Sequence, residues 1–75
     1  MYAVRVKNGP GGDRVAIVCG NQPAVGQRVC LKKKKMEATN GSNLPEVGRY
    51  TVESVTAGQK VGKQKMNILL LEPVP

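Results

Sequence analysis

The chain contains no histidine, phenylalanine or tryptophan, and it has only two tyrosines. Without histidine the commonest general base is absent, and so are the Ser-His and Cys-His nucleophile pairs. The five acidic residues are scattered along the chain, and no two of them are spaced for hydrolysis or for holding a hard metal ion. We therefore predict that the protein is not an enzyme and that it uses no cofactor.

Cysteine and long apolar runs are also scarce. Cys19 and Cys30, with no histidine to complete a ligand set, do not make a four-ligand zinc site. No run approaches the ~18 apolar residues of a membrane span, and the first residues lack the apolar core of a signal peptide. We expect no membrane partner, a cytoplasmic location and free thiols. Because Cys19 is in phase with Ile17 and Cys30 with Arg28, we expect the two thiols on different faces.

Most of what is present favours β-strands. No window repeats apolar residues at the helical spacing i, i+3, i+4, i+7, whereas β-branched valine is abundant. The pattern predicts one domain over residues 1–75, an all-β, five-stranded antiparallel SH3-like barrel whose closure hides the strand edges. An OB-fold would place a helix between the third and fourth strands, and no helical segment is found there. The expected strands are residues 2–7, 14–19, 25–31, 49–55 and 66–71, with turns that include 8–13, 40–41 and 56–64.

Four consecutive lysines directly follow the third predicted strand. Val29 and Leu31 are in phase for the core, and a continued strand would bury two of the lysine side chains. A buried, unpaired ammonium costs several kcal/mol, so the strand must leave the core near Leu31. The sequence predicts a projecting basic hairpin or loop that presents the lysines to water.

The net charge is +7, from 12 basic and 5 acidic residues. Such an excess indicates either attraction to polyanions or simply a soluble surface. The first functional hypothesis is non-specific nucleic-acid binding, because lysines respond to phosphate charge and not to base sequence. The candidate residues are Arg28, Lys32, Lys33, Lys34, Lys35 and Arg49, extended by Lys60, Lys63 and Lys65.

Three further features have both a structural and a functional interpretation. Base stacking needs aromatic platforms, but Tyr50 is in phase with Val52 and is predicted to belong to the core. Val55 falls out of phase on the same strand, which predicts a bulge or a bend. Cys30 is either a thiol made reactive by neighbouring cations or a small, partly buried packing residue. The apolar run 66–71 is two-sided, which allows a homo-oligomer.

The segment from Leu44 to Pro73 contains Gly48-Arg49-Tyr50-Thr51-Val52, then a polar turn, then the terminal aliphatic run Ile68-Leu69-Leu70-Leu71-Glu72. In this pattern it resembles short proteins encoded by bacteriophages and prophages. The resemblance implies an SH3-like fold and a viral or prophage origin, and hence the cytoplasm of a bacterial host. A second functional hypothesis accords with it: a regulatory or inhibitor protein that binds an acidic surface on a host nucleic-acid-handling enzyme.

Overall fold

The computed structural model describes residues 1–7, 15–38 and 44–74. The turns predicted at residues 8–13 and 40–41 lie outside these ranges. In the described part of the chain, no helix is long and apolar enough to cross a membrane. The strands are β1 (Tyr2–Val6), β2 (Val15–Val18), β3 (Arg28–Leu31), β4 (Met36–Ala38), β5 (Gly48–Val61) and β6 (Gln64–Pro73), and a 3-10 helix, Lys33–Lys35, joins β3 to β4.

These strands form one sheet in the order β3-β5-β6-β1-β2-β4, which curls into a nearly closed barrel. The predicted all-β barrel class is confirmed, and an SH3-like architecture is compatible with it. Two details differ from the prediction. The sheet has a sixth strand, because Met36–Ala38 pairs with β2. The pair formed by β1 and β6 is parallel, which requires a long connection, and the intervening strands provide one.

The barrel core consists of aliphatic side chains and both tyrosines. Val4, Val52 and Leu69 lie on three different strands and are at most 1% exposed. Around Val52 on β5 and Leu69 on β6 the buried residues alternate with more exposed ones, as the period of two in a β-strand requires. On β1, by contrast, Tyr2, Ala3 and Val4 are all buried. The other members of the core are Tyr2, Ala16, Val18, Leu31, Met36, Tyr50 and Leu71.

Strand β5 is longer than the sequence pattern predicted. It runs over Gly48–Val61, and the chain turns only at Gly62, so the turn predicted over residues 56–64 was wrong for most of its length. The register with β6 shifts twice. The first shift, just after Val52, confirms the bulge predicted from the phase of Val55. The second lies at Gly58, whose φ of +68° is a conformation that glycine adopts without steric cost.

Strand β6 has one covered face and one half-covered face. Leu69 and Leu71 are fully buried, while on the opposite face the apolar side chains are half-buried. Arg5 of β1 is paired with Leu70, and both residues line a shallow depression on this half-covered face. The aliphatic stem of Arg5 can therefore cover part of the face. Homo-oligomerisation through β6 stays a prediction.

The lysine run forms a compact connection and does not project as an arm. Strand β3 ends at Leu31, which is 1% exposed, and this confirms the predicted exit from the core. After the 3-10 helix, Met36 returns to the core at 8% exposure. A strand of three residues is too short to show an alternating pattern, so the sequence pattern missed β4. Because β3 and β4 are the two edges of the sheet, the 3-10 helix bridges the seam between these edges.

Candidate polyanion-binding surface

Alternation along β3 places its polar side chains on the outside of the barrel. Leu31 is buried and Val29 is half-buried, whereas Arg28 and Cys30 are exposed. Lys32 keeps an extended backbone, with φ −120° and ψ 140°. It therefore continues the outward series two residues after Cys30.

Strand β5 adds a cation to the same face. The register pairs Cys30 with Arg49, and directly opposed residues of an antiparallel pair share a face, with Cβ atoms about 4.5–5.5 Å apart. Arg49 is exposed. Arg49 thus stands beside Arg28 and Lys32. The sequence does not reveal this proximity, because β3 and β5 are remote from each other in the chain.

The 3-10 helix spreads three more lysines into solvent. The backbone N–H of Lys35 donates to the carbonyl oxygen of Lys32 at 3.0 Å, and that of Met36 donates to the carbonyl oxygen of Lys33. With three residues per turn, consecutive side chains point about 120° apart, and all of them are exposed. We call the resulting surface the basic edge: Arg28, Lys32, Lys33, Lys34, Lys35 and Arg49.

Among the described residues, no ion pair with a carboxylate involves the basic edge. The one ion pair among the described residues lies elsewhere and joins Lys7 Nζ to Glu53 Oε1 at 3.0 Å. That hydrogen bond, reinforced by the charge of Glu53, raises the pKa of Lys7. The crowded like charges of the basic edge repel one another, and a bound polyanion would relieve this repulsion.

The remaining predicted basic residues lie at the hairpin between β5 and β6. Lys60 is paired with Lys65, and Lys63 belongs to the turn. Arg49 and Lys60 stand near opposite ends of β5, which runs over Gly48–Val61. The predicted residues therefore divide into the basic edge and a separate hairpin group.

Neither tyrosine presents a ring on which a base could stack. Tyr2 is 3% exposed and Tyr50 is 6% exposed, and the Tyr50 hydroxyl donates a 2.7 Å hydrogen bond to the carbonyl oxygen of Glu46. The predicted core role of Tyr50 is confirmed. Since these two residues are the chain's entire aromatic content, contacts to a nucleic acid would have to go through phosphates.

The buried tyrosines predict a loss of stability at alkaline pH. Burial raises the pKa of both Tyr2 and Tyr50 above the ordinary value of 10.0. Above about pH 10 the unfolded chain releases phenol protons that the folded protein retains, so the free energy of unfolding falls as pH rises. We expect lower urea midpoints at ~pH 11 than at ~pH 8, and a smaller difference in Tyr50→Phe. The pKa of Lys7 is also raised, so its deprotonation lowers the free energy of unfolding over the same pH range. The variant Lys7→Gln is the control, because it removes this contribution and leaves that of the tyrosines. Tyrosines that ionise at their ordinary pH in the folded protein would contradict this prediction.

The two cysteines line one groove. Both are exposed and free, and with Arg28, Lys32 and Lys35 they line a groove of about 330 Å³ between β3 and the end of β2. The backbone N–H of Cys19 donates to the carbonyl oxygen of Lys35 at 3.2 Å, which ties the end of β2 to the 3-10 helix.

Two predictions about the cysteines were therefore wrong. Ala16 and Val18 are the core-facing residues of β2, so Cys19 falls on the outer face, as Cys30 does. The continuous apolar run of β2 did not show which of its two phases points inward. The exposure of Cys30 also contradicts its interpretation as a partly buried packing residue.

In the part of the chain that the structure describes, no group of three or more His, Cys, Asp or Glu side chains could hold a metal ion. A scan of protein-family models found no matching family, and searches of curated proteins and of solved structures found no match either. The resemblance to phage proteins stays a prediction. The basic edge and the groove beside it are the features from which a function can be argued.

Proposed function

We propose that the protein is a non-enzymatic module that binds nucleic acid non-specifically through the basic edge. The observation that carries this proposal is that exposed cations from β3, β5 and the 3-10 helix lie next to one another at the seam of the barrel. Among the described residues, none of these cations forms an ion pair with a carboxylate. Counterions condensed on nucleic acid are released when such cations bind phosphates, and this release drives non-specific binding.

The shape of the basic edge suits a phosphate backbone. Arg28 and Lys32 are four residues apart in extended backbone, or roughly 13 Å, and the lysines of the 3-10 helix continue beyond them. Leu31 and Met36 are buried on either side of the helix, so the charges are held on a packed base. The lysine side chains remain long and mobile, which suits phosphates in many positions and gives no means of reading bases.

The proposal is tested by the salt dependence of binding. Fluorescence anisotropy with a labelled DNA duplex, its single strand and the matching RNA should show binding to all three at low salt. The slope of log Kobs against log salt should lie between about −3 and −5, because each phosphate contacted contributes about −0.9 on duplex DNA. Absence of binding at ~50 mM salt, or affinity unchanged between ~50 and ~200 mM salt, would exclude it.

A second candidate is a module that binds an acidic protein surface. The observation in its favour is that β3 lies at the edge of the sheet, where an extended segment of a partner can add as a further strand beside the same cations. With the phage resemblance, this partner would be a nucleic-acid-handling enzyme in the cytoplasm of a bacterial host. A pull-down from bacterial lysate with and without nuclease separates the candidates, since a stoichiometric protein that survives nuclease treatment supports the second.

A further inference from the structure

Cys30 stands at the centre of the cationic face. Arg28 and Lys32 lie two residues before and after it on the same outward side of the chain. Arg49 lies directly opposite it on β5. Two residues of strand correspond to roughly 6.6 Å, so the thiol has a cation on each of three sides at the distance of an adjacent side chain.

The groove at the seam makes this thiol accessible to a small molecule. Cys30 is exposed, and the groove it lines has a volume of about 330 Å³ and also receives Lys35. Cations that surround a concave site raise the local concentration of anions and the rate at which they arrive. An anionic reagent should therefore meet this thiol more often than a neutral or cationic one.

We propose that Cys30 is a modification site for anionic disulfides of the glutathione class. We further infer that the resulting adduct switches off polyanion binding; this second step rests on the proposed function. The adduct would place the carboxylates of the attached peptide among Arg28, Lys32 and Arg49. The cations would then be neutralised from within the protein, and fewer would be available to phosphates.

The step is a thiol–disulfide exchange that needs no other reactant. The Cys30 thiolate attacks one sulfur of oxidised glutathione, and a new bond forms from Cys30 Sγ to that sulfur. The original S–S bond breaks, and the leaving glutathione thiolate takes up a proton. Cys30 is oxidised to a mixed disulfide, and the departing half of the reagent is reduced to the free thiol. Excess reduced glutathione reverses the reaction.

The test compares two disulfides of opposite charge. In a Cys19→Ser background, which leaves one thiol, the rate of adduct formation is followed by intact mass. Oxidised glutathione carries net negative charge and cystamine carries net positive charge. The quantity compared is the ratio of the rate with oxidised glutathione to the rate with cystamine. We expect this ratio to be on the order of 10-fold higher for Cys30 than for free cysteine, and the difference should fade at high salt.

Matched variants place the effect on the named cations. The double variant Arg28→Gln/Arg49→Gln should lose most of the charge preference. Lys60→Gln/Lys65→Gln, which lowers the net charge equally at the distant hairpin, should retain it. A preference no larger than that of free cysteine, or an equal loss in both double variants, would overturn the proposal.

The consequence for binding is measured separately. In the Cys19→Ser background, protein glutathionylated at Cys30 should bind labelled DNA several-fold more weakly than the same protein after reduction, whereas Cys19→Ser/Cys30→Ser should not respond to the reagent. If the adduct forms with the expected charge preference but unmodified protein binds no nucleic acid, the proposed function fails and the modification site stands. If DNA binding is normal and the preference is absent, only the modification site fails. If the adduct forms and leaves DNA binding unchanged, the switch is refuted.

Discussion

Replacing Lys33, Lys34 and Lys35 together by glutamine is expected to weaken DNA binding about 10²- to 10³-fold at ~0.1 M salt. The physical reason is counterion release. Each phosphate contact contributes about 0.9 to the slope of log Kobs against log salt. Taken relative to ~1 M salt, the loss of three contacts therefore lowers log Kobs at ~0.1 M salt by up to about 2.7. The slope itself should become less steep by the same amount.

The hairpin lysines provide a control of equal charge. Lys60→Gln, Lys63→Gln and Lys65→Gln together also reduce the net charge from +7 to 7 − 3 = +4. Because these residues lie away from the basic edge, we expect their replacement to cost under about tenfold in affinity. Equal losses in the two triple variants would mean that net charge alone binds the polyanion, and the basic edge would lose its role.

Folding should survive both triple substitutions. The lysines of the 3-10 helix are exposed, and removal of adjacent like charges relieves repulsion. Circular dichroism and the urea midpoint should remain close to those of the unchanged protein. Even reversal of the charge of all four lysines, residues 32–35, should leave a folded barrel, and unfolding of that variant would contradict the placement of these side chains in water.

Leu31→Ala is expected to destabilise the barrel by about 2–5 kcal/mol, measured by urea unfolding. Leu31 is 1% exposed, so its truncation removes apolar contacts and leaves a cavity that the small core can fill only in part. A domain of 75 residues has a total stability of roughly 4–11 kcal/mol at about 0.05–0.15 kcal/mol per residue. The substitution therefore removes a large share of this stability, and the variant is best measured in the presence of a stabilising osmolyte.

The control for this change is Val25→Ala. Val25 is 59% exposed, and truncation of an exposed side chain usually changes stability by no more than about 0.5 kcal/mol. Leu31 also ends β3, and only Lys32 separates it from the 3-10 helix. We therefore expect a cavity at this position to loosen the base of the basic edge. A cost below about 1 kcal/mol for Leu31→Ala would show that this leucine does not anchor the turn.

Much of the local structure was predictable because it depends on residue type and period. The inward phase of Val29 and Leu31, and of Tyr50 and Val52, follows from alternation. The exit of β3 at Leu31 follows from the cost of burying an ammonium. Gly58 was misread as part of a turn, because glycine permits a bulge and a turn through the same positive φ.

The sequence by itself determined the β class, the shortage of catalytic groups, the lack of any aromatic residue other than two tyrosines, and the solvent exposure of the lysine run. Tertiary structure alone decided the sheet order, the parallel pairing of β1 with β6, and the meeting of Arg49 with Arg28 and Lys32 around Cys30. The physical reason is that a period of two reports the face on which a side chain stands, whereas the neighbouring strand is chosen by closure of the whole barrel. Cys19 and Cys30 share a groove for the same reason.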